Sequence, residues 1–405
     1  MNMLSEIVQN MVPSGTLEIN ARVFEMRQNG EEIINLSVGE PDFNTPSDAK
    51  MGGIQAIAEN RLRYDKAPGL MELREAVCRK LSRENGVDYT PDQIVISNGA
   101  KQCITNACIA LLNPGDEVLI PAPYWVSYPE IVKICGGRPV FVETKRENDF
   151  KLTGEDIAAC ATPKTRMVIL CNPSNPLGTV HTRRELESLA AECVARGIYI
   201  MADEVYERIC FADEFVSMAS IPEARDLTIL INGLSKSVPM TGWRIGYTAT
   251  EAGIAKAIGA IQGHITSHPS MVSQWAGAAA LDLCGDYTEM MVSEYRKRME
   301  TASAFLRKEL PEAPFIEPKG AFYLFIDISC VKDALESQEA AAGPYSKAFT
   351  MKLLNEKHVA VAPGSAFGMD GFIRIAYASD IDSILEGLRR IRDLIKELSA
   401  GQKQG

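Results

Sequence analysis

From residue 93 to residue 248 the chain alternates short apolar runs of β-type residues with amphipathic stretches, and this alternation limits the folds open to it. The runs are Gln93–Ser97, Glu117–Pro121, Pro139–Glu143, Arg166–Cys171, Ile198–Ala202, Thr228–Asn232 and Arg244–Thr248. Most are apolar at nearly every position, so both faces of the strands they predict need cover. Between them, Lys101–Leu112 reads as a helix stopped by Asn113-Pro114-Gly115. Arg183–Arg196 repeats Leu186, Leu189, Ala190 and Cys193 at helical spacing. Strands separated by helices predict an α/β fold whose mostly parallel sheet is sandwiched by helices.

The rest of the chain reads differently. Tyr287–Leu310 and Asp380–Leu398 are amphipathic helix patterns, and Ala321–Ile328, Val359–Val361 and Phe372–Ala376 read as short strands. A chain of 405 residues exceeds what one small core fills. A large domain over 46–285 and a smaller α+β domain over 286–405 are expected, with residues 1–45 joining the smaller one. No internal repeat or low-complexity linker interrupts this scheme.

Composition narrows the partners. Lys plus Arg is 42 against 53 Asp plus Glu, giving a net charge of −11. A surplus of acid repels nucleic acid and anionic membrane, so neither is expected as a partner. No run has the length of a membrane span, and Met1–Pro13 lacks the pattern of a secretory leader. The ten Cys form no C-x-x-C pair and lie mostly in apolar stretches. Free thiols in a reducing cytoplasm, rather than disulfides or a metal site, are the expectation.

Ligands of open α/β sheets bind beyond the carboxyl ends of the strands. Polar clusters follow the predicted strands at five places: Asn98-Gly99-Ala100-Lys101, Ala122-Pro123-Tyr124-Trp125, Asn172–Gly178, Asp203-Glu204 with Tyr206, and Gly233-Leu234-Ser235-Lys236. One parallel sheet puts all of them on one edge. Each has a plainer reading when taken singly. Gly99–Lys101 also reads as a strand-to-helix turn, Asn172–Gly178 as a Pro-rich turn and Asp203 as a helix cap. Trp125 also reads as core packing, and Lys236 as a solvated lysine.

Together the clusters resemble the motifs of the class I aminotransferases, enzymes of pyridoxal-phosphate (PLP) fold type I. Gly233–Tyr247 (GLSKSVPMTGWRIGY) resembles that family's PLP-lysine signature. Asn172–Gly178 resembles its N-P-x-N-P-x-G loop, and Asp203–Tyr206 its D-E-x-Y. Tyr124–Glu130 resembles the segment of its stacking aromatic, and Ser37–Phe43 its N-terminal G-E-P-D-F. These matches follow the family's order along the chain, which makes them specific.

The resemblance implies a cofactor, PLP, and a role for each residue. Lys236 carries PLP as a Schiff base and then moves the proton as general acid and base. Asp203 keeps the pyridine nitrogen protonated, while Tyr206 and Asn175 hydrogen-bond the ring oxygen and Trp125 stacks on the ring. Gly99, Ala100, Lys101, Ser235 and Arg244 surround the phosphate. Tyr64 reaches the phosphate of a neighbouring subunit, which implies a homodimer with shared sites. Arg374 grips the substrate α-carboxylate, and Gly39 lets the N-terminal segment close over the substrate. Three departures from the family pattern are Pro239, Gly233 in place of a common Ser, and Asp65-Lys66 after Tyr64.

Amino-acid and 2-oxo-acid substrates follow. The resemblance is to prokaryotic-type aspartate aminotransferases, in which a lysine just after the phosphate turn binds the side-chain carboxylate; Lys101 stands there. Relatives that also use prephenate carry an N-terminal threonine with this lysine, and Thr16 fits that place. The expected reaction is aspartate with 2-oxoglutarate giving oxaloacetate and glutamate, with prephenate going to arogenate as a further activity. Alternatives on the same fold are an aromatic or alanine aminotransferase, a C–S lyase and a cyclopropane-forming synthase. A DNA-binding regulator is disfavoured because the motifs begin near residue 10. A nicotinamide enzyme is disfavoured because no G-x-G-x-x-G follows the first strand.

Overall fold

A computed structural model describes residues 4–9, 11, 15–338 and 343–402. Its strands are β1 (Ile34–Asn35), β2 (Ile94–Asn98), β3 (Glu117–Ala122), β4 (Arg138–Glu143), β5 (Thr165–Cys171), β6 (Tyr199–Asp203), β7 (Thr228–Gly233), β8 (Ile245–Ala249), β9 (Tyr323–Asp327), β10 (Val359–Ala360), β11 (Ala362–Pro363) and β12 (Phe372–Ala376). Seven of them form the predicted sheet, in the order β2-β8-β7-β6-β5-β3-β4. Only β8 runs against the others, pairing antiparallel with both β2 and β7.

Strand periodicity explains how both faces are covered. Met167 and Ile169 of β5 point one way, with Met201, Ile229 and Ile231, onto the helix Ala100–Leu111. Val168 and Leu170 point the other way, with Ile200 and Ala202, onto Leu186, Leu189 and Cys193 of the helix Arg183–Arg196. Burial of both faces accounts for the near-continuous apolar runs. The helix Arg183–Arg196 starts with a capping box between Thr182 and Glu185 and ends at Gly197 in the left-handed region.

A second, antiparallel sheet, β11-β12-β9, packs against the helices Gly285–Glu309, Tyr345–Lys357 and Ile381–Gln402. β1 pairs in parallel with β10, which ties the segment around residue 35 to residues near 360. The expected run Val359–Val361 is two short strands, because Val359–Ala360 pairs with β1 whereas Ala362–Pro363 pairs with β12. Among the described residues, no helix is long and apolar enough to cross a membrane.

Candidate active site

A cavity of about 430 Å³ opens at the carboxyl edge of the seven-stranded sheet. Ala100 and Lys101 enter it after β2, Trp125 after β3, Asn175 after β5, Asp203 and Tyr206 at the end of β6, and Ser235 and Lys236 after β7. Gly39 and Arg374 close it from the opposite side. Pairing of Asp203 with Ile231 and of Cys171 with the same Asp203 brings three strand ends level.

Lys236 lies in the turn after β7, where its Nζ donates to the Gly39 carbonyl. Burial lowers its pKa to about 8, an effect that the charge of Glu40 opposes and those of Arg374 and Arg244 reinforce. At neutral pH such an amine has a usable neutral fraction, as a nucleophile or proton carrier needs. Asp203 is the last residue of β6 and only 4% exposed. Tyr128 Oη donates to its Oδ2 at 2.6 Å, and the Val205 amide approaches its Oδ1 at 3.4 Å. Burial raises its pKa to about 6, against the lowering effect of those hydrogen bonds. Among the described residues no cation pairs with it.

The far end of the cavity is the electrostatic opposite. Arg374 is 5% exposed, sandwiched against Tyr323 and Phe367 at 4.4 and 4.8 Å. Its Nη1 donates to Asn175 Oδ1 at 3.0 Å and its Nη2 to the Ser37 carbonyl at 2.7 Å, while Nε has no partner. All its acceptors are neutral, so a buried guanidinium has donors and no anion. Tyr206 Oη shares a hydrogen bond of 2.7 Å with Tyr323 Oη, and burial holds both phenols above their ordinary pKa.

A third group of donors sits at the start of the helix Ala100–Leu111. Gly99 caps this helix at φ +82, and a Cβ there would run into the Arg244 guanidinium. Gly246 of β8 backs directly onto Gly99 and Ala100. Helix-start amides beside an arginine make a ready seat for an anion. Arg244 itself is not in the strand the sequence suggested. It precedes β8 with φ +58, and its Nη1 donates to the Thr241 carbonyl at 3.0 Å. It reaches the cavity because β8 is reversed, so the start of β8 lies beside the ends of β2 and β7. Lys101 Nζ lies 5.0 Å from the Trp125 ring, and burial followed by the charge of Arg244 lowers its pKa.

Two expected residues stand apart. Tyr64 is 91% exposed in a surface groove with His268 and does not line this cavity. Thr16 falls in the helix Gly15–Gln28, and its side chain lies outside the described residues. Sequence reasoning also passed over groups that matter here. Tyr128 lies within the quoted aromatic segment and reads as core until its contact with Asp203 is seen. Tyr323 sits in an apolar strand pattern, where its hydroxyl was the available signal. Glu40, beside Gly39, lines the cavity and accepts from Thr241 Oγ1.

The family model "Aminotransferase class I and II" matches residues 31–391. The chain is 39% identical to a probable aspartate/prephenate aminotransferase of Aquifex aeolicus, over 98% of this chain and 99% of that one. It is 42% identical to a bifunctional aspartate aminotransferase and glutamate/aspartate-prephenate aminotransferase of Petunia hybrida, over 96% of this chain and 82% of the other. The solved structure of the Thermus thermophilus aspartate aminotransferase with maleate superposes with a TM-score of 0.90 at 35% identity, covering 97% of this chain and all of that one.

Proposed function

This chain belongs to the class I and II aminotransferases, and on that premise we propose that its cavity binds PLP on Lys236 and transaminates aspartate. The enzyme is an aminotransferase that moves the amino group of aspartate to 2-oxoglutarate, giving oxaloacetate and glutamate. Prephenate, going to arogenate, is a second amino acceptor, in keeping with the bifunctional relatives.

The residues present fit the cofactor. The carrying observation is a pair of buried ionisable groups that, among the described residues, meet only neutral partners, the Asp203 carboxyl and the Arg374 guanidinium, with the Lys236 amine lining the same cavity. When bound, PLP supplies an aldehyde for the amino group and a ring that takes up electrons as the substrate Cα loses its proton. Asp203 holds the proton on the pyridine nitrogen, and Tyr128 fixes the carboxylate that does so. Tyr206 and Asn175 present hydrogen-bonding groups to the ring oxygen, and Trp125 covers a ring face. Gly99 and Ala100 amides, Ser235 and Arg244 hold the phosphate. Arg374 takes the α-carboxylate as a two-point fork, and the Gly39 segment shuts out water. Lys236 Nζ, released from the cofactor, takes the Cα proton and returns it. Lys101 takes the side-chain carboxylate of aspartate, and Thr16 is the residue assigned to prephenate use.

Tyr64, exposed on its own chain, serves the phosphate of a partner subunit in a homodimer. Residues 46–285 act as the cofactor-binding domain, and 1–45 with 286–405 as the smaller one. Ten free thiols, none of them exposed, suit a reducing cytoplasm.

The test is the purified enzyme with added PLP. A pH-dependent visible band that Lys236→Ala abolishes, with aspartate the preferred donor in a panel of aspartate, glutamate, alanine and phenylalanine, is the expected result. A band that survives the substitution unchanged, or a panel in which aspartate is inactive, overturns the reading.

A further inference from the structure

Behind the cavity lies a second cluster of buried charge that the mechanism above does not use. The chain leaves β6 through the turn Glu204–Glu207, closed by the Glu207 amide on the Glu204 carbonyl at 2.9 Å. Asp203, Val205 and Tyr206 line the cavity, whereas Glu204 and Glu207 do not. They are instead buried on the other side, 1% and 6% exposed. Lys80, itself 1% exposed, donates to Glu207 Oε1 and, at 2.7 Å, to Asn85 Oδ1. Asn85 Nδ2 returns a bond of 2.8 Å to Glu207 Oε2. Both residues belong to the helix Met71–Asn85, and neither touches the cavity. Glu204 Oε1 accepts from the Met218 amide at 2.8 Å. Glu84 takes Arg208, just past the turn, through Nε at 2.8 Å. Lys80 Nζ also lies 3.7 Å from Glu84, and Tyr247 and Tyr89, the latter with Arg225 over its ring at 4.1 Å and Asp226 nearby, are further titratable groups around the cluster.

We infer that Lys80 and Glu207 are positioning residues for transamination: they clamp the turn whose other face aims Asp203 and Tyr206 at the cofactor. The inference rests on the roles proposed above for those two residues. A buried ion pair is a poor source of stability, because desolvating both charges offsets most of their attraction. What it does well is fix geometry, since each partner can be satisfied in one arrangement only. Here the pair, bridged by Asn85, joins a long helix to the turn that sets a ring-nitrogen carboxylate and a ring-oxygen phenol three residues apart.

The experiment compares the loaded enzyme with Glu207→Gln, the double variant Lys80→Met/Glu207→Gln and a control, Asp203→Asn. The readouts are the pH midpoint of the visible band, kcat and KM for aspartate, retention of PLP on dialysis and the thermal midpoint. Both test variants are expected to fold, to shift the band midpoint by roughly one pH unit and to lose about tenfold or more in kcat. KM for aspartate should stay near the wild-type value, since Arg374 is untouched. Folded variants with wild-type midpoint and kcat overturn the inference, as does loss of folding in both, which would make the pair an element of stability alone. An unmoved midpoint in Asp203→Asn as well would overturn the role of Asp203, and this inference with it.

Discussion

Arg374 and Lys101 are the two cations proposed to meet the carboxylates of a dicarboxylic substrate, and they differ in kind. Arg374 is buried, planar and held at two points by Asn175 and Ser37, so its fork is fixed before substrate arrives. Arg374→Lys keeps the charge and loses the fork. We expect KM for aspartate to rise on the order of tenfold to hundredfold, and steady-state kinetics will check it. Lys101 rests over Trp125 at the cavity mouth and is far freer. Lys101→Ala is expected to cut turnover of aspartate much more than that of alanine, which has no second carboxylate. Equal losses with both donors would remove Lys101 from substrate binding.

At the level of the elements, the junction of β2 with the helix Ala100–Leu111 carries the clearest demand on backbone. Gly99 is in the left-handed region, with the Arg244 guanidinium against the place of its missing side chain. Gly99→Ala should cost about 1–3 kcal/mol of stability and displace Arg244, so that PLP dissociates more readily. Thermal unfolding and cofactor titration measure the two effects separately. This junction also shows what could be read in advance. The Gly99-Ala100-Lys101 turn, the Asp203 strand end and the Lys236 loop were legible because each follows its own apolar run. Arg244 was placed in a strand because its neighbours are apolar, and its left-handed backbone depends on β8 pairing backwards between β2 and β7. Pairing direction is set by distant strands and leaves no local trace. The contacts Tyr128–Asp203 and Tyr206–Tyr323 were unreadable for the same reason, since they join residues 75 and 117 positions apart.

For the molecule as a whole, burial of unused acids predicts how stability follows pH. Glu204 is fully buried, and burial, aided by the charge of Glu207, raises its pKa from 4.5 to about 8. A raised carboxyl pKa favours the folded state below 4.5, and that contribution is lost as pH climbs to 8. Asp203 acts in the same direction up to about 6, while buried His181, lowered from 6.5 to about 4, acts the opposite way below 6.5. Between pH 6.5 and 8 the Glu204 contribution therefore stands alone among these three. The cofactor-free protein should lose stability across that window, by at most about 1.4 kcal/mol per pH unit from this group. Denaturant unfolding at several pH values will show the slope, and Glu204→Gln should flatten it. The two sheets also divide the cavity between them. Groups proposed for the bond-making steps hang from strand ends of the seven-stranded sheet, whereas Arg374 comes from β12 and Gly39 from the segment after β1. A laboratory seeking a new amino donor can thus randomise position 101 and the surroundings of β12 while keeping Gly39 and Glu40, which both act on the reactive lysine, so that diet and chemistry become separately adjustable traits of one catalyst.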